Sequence, residues 1–320
     1  MKQVVCLRPE DDASRAVSVD EVPDPECPDA GVVVEIKARP INPADLLLLN
    51  GRHVYIPPYP APVGIEGAGV VIASGPASRI QPGTVVALPF GGTWCERLAM
   101  SDDDVVPLPS DVDLQQASMF CVNPFTAVGL LEGVPTGATV VANAGASAIS
   151  RLILRVARRR GIPLVAVVRD GRQVDELLAA GATAVLIDGP DLAERVAQVA
   201  PSPVVRALDA VAGSASGRLY DCVSDGGDLV VYGLLASDQV ALPAVRLVFR
   251  DVLVRGFSRL RSYRAMSETR RGEIREELVE LLRDGSLASE IDACYPLEEV
   301  AEALRHQQRP DRRGKILLLS

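Results

Sequence analysis

The sequence predicts an α/β protein in which a β-rich, barrel-like domain precedes a doubly wound parallel sheet. Three observations carry this. Up to about residue 115 the chain runs in short apolar stretches broken by Pro and Gly, the spacing of a small β-barrel. Beyond that point apolar strands alternate with helix-patterned segments, the rhythm of a parallel sheet covered on both faces. The last apolar run, KILLL at 315–319, follows a charged helix and predicts a strand returning to the first domain. The divisions fall at 1–115, 116–258 and 259–320.

Each element follows from local pattern. GVVVEIK at 31–37 predicts a strand, VGIEGAGVVIAS at 63–74 a glycine-rich one, and QPGTVVAL at 81–88 a turn feeding a third. Residues 139–142 predict a short buried strand. Residues 147–160 have helical periodicity and end on arginines, which suits the negative end of a helix dipole. A buried strand at 164–168 follows, then a helix at 174–180 stopped by Gly181. Further strands are predicted at 184–187, 204–208 and 229–232, an edge strand at 252–256, and a charged helix over about 267–283.

Composition narrows the class. With 48% hydrophobic and 23% charged residues the chain can build packed cores, and disorder is excluded. The net charge is −9 and no long basic block interrupts it, which argues against nucleic acid as the main partner. The six cysteines form no CxxC pair, so they read as reduced, buried thiols of a cytoplasmic protein. The first ten residues lack an apolar signal core, and no run approaches the roughly 18 apolar residues of a membrane span.

Residues 140–150, VVANAGASAIS, run from a strand through small residues into a helix. That context lets a backbone approach a pyrophosphate and presents free N–H groups to it. The candidates are Asn143, Gly145, Ala146, Ser147, Ala148 and Ile149. Gly145 is the one glycine among them, and a plain tight turn would use the same residues. The next strand ends in VVRDGR at 167–172. An arginine where an acidic residue usually binds the ribose favours the 2′-phosphate of NADPH, through Arg169 and Arg172. Asp170 is read as pointing away.

Motifs spread along the chain carry a resemblance: NPAD at 42–45, GIEGAG at 64–69, GTW at 92–94, VNPFTA at 122–127, NAGAS at 143–147, VVRD at 167–170, FRDVLVRGF at 249–257 and GKIL at 314–317. In order and spacing the chain resembles the zinc-free branch of the medium-chain dehydrogenase/reductase superfamily. It is most similar to the mitochondrial-type 2-enoyl thioester reductases, and next to quinone oxidoreductases. The resemblance implies a GroES-like barrel, an inserted Rossmann domain, a cleft between them, and a homodimer paired through the late Rossmann strand. Zinc-containing relatives carry Cys and His where this chain has Asp45 and Ile65, so no zinc is expected.

The chemistry implied is reduction of an activated C=C, with hydride to the β-carbon and a proton to the α-carbon. The enoyl reductases place a tyrosine shortly after the NPAD-like stretch, and the matching position here is His53, in GRHVYIPPYP at 51–60. Three readings stay open: His53 is the donor, since histidine titrates near neutrality; Tyr55 or Tyr59 reaches the same place; or the chemistry is altered. Asn42, Asn123 and Thr126 are expected near the nicotinamide or substrate, though Asn123-Pro124 also suits a helix start. Tyr232, Gly233 and Phe257 are expected at the cofactor and Trp94 in packing, while Glu66 either orients the cleft or closes a structural ion pair. Ser258 stands where the enoyl reductases carry a second aromatic. Arg259, Arg261 and Arg264 read as a solvated basic surface, or as contacts for a CoA or acyl-carrier-protein phosphate. The alternatives to a thioester reductase are a quinone or enone reductase and a non-catalytic NADPH-binding regulator.

Overall fold

The computed structural model describes residues 1–320 except Ile56, Phe90 and Pro310. Its contacts gather into two units, Met1–Val122 with Arg275–Ser320, and Asn123–Ile274. These divisions lie after 122 and 274, where the sequence places them after 115 and 258. The later one has a local cause. Tyr263 packs edge-on against Phe125 with ring centroids 5.3 Å apart, which joins the helix after residue 258 to the second unit.

The first unit carries β1 (Lys2–Cys6), β2 (Val17–Glu21), β3 (Gly31–Pro40), α1 (Pro43–Leu49), β4 (Ala61–Pro62), β5 (Gly67–Ser74), β6 (Val85–Leu88), β7 (Arg97–Ser101), β8 (Val106–Pro107) and α2 (Leu114–Ala117). The second carries α3 (Asn123–Leu130), β9 (Thr139–Ala142), α4 (Ala148–Arg159), β10 (Leu164–Val168), α5 (Val174–Ala179), β11 (Ala184–Ile187), α6 (Leu192–Val199), β12 (Val204–Asp209), α7 (Ser214–Cys222), β13 (Asp228–Val231), α8 (Ala244–Phe249), β14 (Leu253–Gly256) and α9 (Arg259–Ala265). The second division falls inside α10 (Glu268–Arg283), and β15 (Ile291–Pro296), α11 (Val300–Gln307) and β16 (Lys315–Leu319) complete the first unit. Among the described residues no helix is long and apolar enough to cross a membrane.

In the first unit β3 is the spine. It pairs antiparallel with β5 on one edge and with β7 and the predicted last strand, β16, on the other. Val32, Val34 and Ile36 alternate inward from it into an apolar core. The strand expected over 63–74 begins only at Gly67. Gly64 has φ +101°, and a Cβ there would stand 2.3 Å from the Trp94 indole, so the chain bends before it pairs. Buried Arg39 donates to the Cys95 carbonyl at 2.6 Å and the Ile36 carbonyl at 3.0 Å, and nothing in the sequence marks it.

In the second unit six strands run parallel in the order β11-β10-β9-β12-β13-β14. The chain enters at the middle, winds outward, and crosses back at β12. The point of reversal lies between β9 and β12, and ligands of such sheets bind outside the carboxyl ends there. Val141, Val165, Val167, Leu219 and Leu229 pack beneath, which is why the short apolar runs form strands.

Candidate active site

The turn between β9 and α4 occupies residues 143–147. Ala144 sits at φ +48°, a left-handed conformation that costs a residue with a Cβ about 1 kcal/mol. Gly145 donates its N–H to the Val167 carbonyl at 2.9 Å. A Cβ on Gly145 would lie 3.0 Å from the Ala166 methyl and 3.2 Å from the Val167 oxygen, so glycine lets the turn lie flat on β10. The Ser147 hydroxyl caps α4 by accepting the Ser150 N–H. The amides of Ala146, Ala148 and Ile149 have no acceptor among the described residues, and they stand at the positive end of α4. This arrangement fits a pyrophosphate.

Asn143 shapes the turn from inside. Its Nδ2 donates to Asp209 Oδ1 at 2.6 Å, and its Oδ1 accepts the Ala210 N–H at 2.7 Å. Asp209 also accepts from the N–H groups of Val211 and Ala212 and from the Ser216 hydroxyl. The buried pair therefore ties the ends of β9 and β12 together at the point of reversal.

Arg169 follows β10, is exposed, and makes no hydrogen bond or salt bridge among the described residues. Arg172 differs. Asp170, expected to point away, turns toward it and accepts from Arg172 Nε at 2.9 Å and from a terminal nitrogen at 2.8 Å. The two are separated by one residue, which lets the carboxylate fold back on the guanidinium. Those side-chain bonds, with the Arg172 N–H, hold the Asp170 carboxyl down at about 2.

Tyr232 and Gly233 follow β13, and both donate their N–H groups to the Asp209 carbonyl. The Tyr232 hydroxyl is buried without a hydrogen-bond partner of good geometry, and burial pushes the phenol up to about 12. Phe257 lies over Gly129, where a Cβ would meet its ring at 2.7 Å, and shares a small apolar cavity with Phe125, Tyr263, Met266 and Ile274. Its visible role is packing. Asn123 opens α3 with Pro124 behind it, and Thr126 lies one turn further along the same helix.

In the first unit His53 and Tyr55 lie in the segment after α1. His53 Nδ1 lies 3.1 Å from the Tyr55 amide nitrogen and 3.3 Å from the Tyr55 carbonyl oxygen. Tyr55 is 63% exposed. Tyr59 instead packs on the core around Leu49 and Trp94, with its hydroxyl toward the Leu48 carbonyl at 3.5 Å. Asn42 is buried and both ends of its amide are engaged: Nδ2 donates to Glu66 Oε1 at 2.9 Å, and Oδ1 accepts from Lys315 Nζ at 2.6 Å. Asp45 lies beside them, with Oδ2 accepting the Asn42 N–H at 2.8 Å and Oδ1 unpartnered. Burial, with the Glu66 charge nearby, pushes the Asp45 carboxyl up to about 7. Burial lowers the Lys315 ammonium while Glu66 and Asp45 oppose that. The motif reading found Glu66 but missed Lys315 and Asp209. A lone lysine heading the apolar run KILLL was the signal for Lys315.

The fold defines a class: a dinucleotide-type Rossmann unit joined to a barrel-like unit. Residues 28–110 match the alcohol dehydrogenase GroES-like domain, and residues 180–318 match a family described as zinc-binding dehydrogenase. A mitochondrial enoyl-[acyl-carrier-protein] reductase of Xenopus tropicalis is 32% identical over 308 residues, covering 91% of this chain and 87% of its own length. A putative NADPH:quinone reductase from Bacillus thuringiensis superposes with a TM-score of 0.91 at 27% identity, covering 100% of this chain and 98% of its own. The Escherichia coli quinone oxidoreductase complexed with NADPH does so at 0.87 and 21%, covering all of both chains. The chain belongs to the medium-chain dehydrogenase/reductase superfamily and is an oxidoreductase of its zinc-independent branch.

The residues do not fit a zinc ion, despite the name of the second family. Ile65 offers no ligand atom, and the nearby carboxylates of Asp45 and Glu66 already face the cation of Lys315. Among the described residues no three His, Cys, Asp or Glu side chains gather as a metal site.

Proposed function

We propose that the protein is an NADPH-dependent reductase of the C=C bond of 2-enoyl thioesters carried on CoA or an acyl-carrier protein. The observation that carries the substrate class is the 32% identity with an enoyl-[acyl-carrier-protein] reductase along 91% of the chain. NADPH is supported by the free amides of Ala146, Ala148 and Ile149 and by Arg169, exposed at the end of β10 where a 2′-phosphate binds. When bound, NADPH supplies the hydride. The α4 N-terminus holds its pyrophosphate, and His53 delivers the proton.

Full-length protein should oxidise NADPH, and NADH far more slowly, with crotonyl and medium-chain enoyl thioesters. Absence of turnover across that series would sink the reading. His53→Ala should lower kcat by about a hundredfold and Tyr55→Phe by less than threefold, as expected for loss of one general acid. If neither changes kcat, the donor assignment fails. A quinone or enone reductase is the second reading, favoured by Ser258 and by the 27% identity with a quinone reductase.

The same reading includes a homodimer. β14 is the last strand of its sheet, and Leu253 on it is exposed, as are Val245, Val248 and Phe249 of α8, the helix that precedes it in the chain. An edge strand with an apolar flank is suited to pairing with a second copy of itself about a two-fold axis, which closes the surface.

A further inference from the structure

The first unit buries the Glu66 carboxylate and the Lys315 ammonium, and the reductase reading leaves both without a role. They form a connected path. Lys315 Nζ, at the start of β16, donates to the Asn42 carbonyl oxygen at 2.6 Å. Asn42 Nδ2 donates to Glu66 Oε1 at 2.9 Å. Glu66 Oε2 accepts the N–H groups of Val122 at 2.8 Å and Cys121 at 3.1 Å. The ammonium only donates and the carboxylate only accepts, so the amide has one workable orientation between them. Reversing it would set NH₂ against the ammonium and oxygen against the carboxylate.

Such a path is costly to bury, and a well-packed apolar set of equal volume would commonly be as stable. What it supplies is position. Asn42, in the middle of the path, caps the entry to α1, whose chain continues to His53 and Tyr55. The far end is the peptide 121–122, which leads directly into Asn123. We propose that Lys315 and Glu66 are positioning residues of the reductase, acting through the fixed amide of Asn42. Lys315 sets the amide, the amide aligns Glu66, and Glu66 fixes the 121–122 backbone. The inference rests on the reductase reading for its assay, though the bonds themselves do not.

The test is a double-mutant cycle in the full chain with Lys315→Met and Glu66→Gln. The glutamine keeps volume but sets an NH₂ against the 121–122 N–H groups or against Asn42, so it interrupts the path even where Lys315→Met folds poorly. Each variant should lose at least tenfold in kcat, about 1.4 kcal/mol of transition-state stabilisation, with the NADPH dissociation constant within about threefold of wild type. The double variant should lose no more than the worse single one, because both cut the same path. Folded variants that lose less than tenfold in kcat, or whose losses multiply, overturn the proposal, and so does a fall in melting temperature alone. Wild type active on quinones but not thioesters removes the substrate reading only, and the cycle is then scored with the quinone. Wild type inactive on both removes the reading and the inference together.

Discussion

Asp45 is a carboxyl with one oxygen bonded to backbone and the other buried without a partner. Its pKa rises from an ordinary value near 4 to about 7 because burial penalises the charged form. Between those values the unfolded chain releases a proton that the folded chain keeps. The contribution of Asp45 to stability is therefore fullest below about pH 4, falls as pH rises toward 7, and levels off above it. Glu66 and Lys315 are the charged groups that face it. Asp45→Asn retains an acceptor for the Asn42 N–H and removes the titration. The urea midpoint of that variant should vary less between pH 4 and 7 than wild type, and should exceed it at pH 8. Equal slopes would show that Asp45 does not carry the effect. At this scale Glu66 stands out by its motif position, whereas the saturation of Asn42 and Asn143 does not, because their partners Lys315 and Asp209 lie far along the chain.

The β9–α4 connection shows how an element tolerates a sequence poor in glycine. Its close approach to β10 falls on Gly145, while Ala144 takes a left-handed conformation that glycine would adopt without a Cβ penalty. Ala144→Gly should relieve that conformation and raise stability by up to about 1 kcal/mol, the strain of a left-handed residue less the added freedom of the unfolded chain. Chemical denaturation measures it, and a loss of stability would show that the alanine is unstrained. The strand–turn–helix pattern itself was readable, since buried apolar runs and a Ser cap need no distant partner. The late start of β5 was not, because the Trp94 ring that occupies the space beside Gly64 is thirty residues away.

For the whole molecule, the apolar flank of β14 is the testable feature. Phe249 is 79% exposed and Val248 72%, high values for large apolar side chains of a monomer. Light scattering should give twice the chain mass for wild type, and Val248→Asp with Phe249→Asp should give a single chain with the melting temperature lowered. A monomeric wild type ends the dimer proposal. The acidic charge agrees with a small-molecule substrate, and the arginines of α9, of which Arg261 and Arg264 are exposed, leave room for an anionic carrier.

By itself the sequence determined the parallel sheet, the return of 315–319 to the first domain, and the place of the strand–turn–helix connection at 140–150. Periodicity and turn chemistry act within a few residues, so β9, β10, β11 and β16 begin and end where the local pattern puts them. Tertiary structure alone decided which polar atoms remain available. Asn42 lies 273 residues from Lys315 in the chain and 2.6 Å from it in space. A buried polar group must find partners wherever the fold brings them, and that choice is written in no local stretch of sequence.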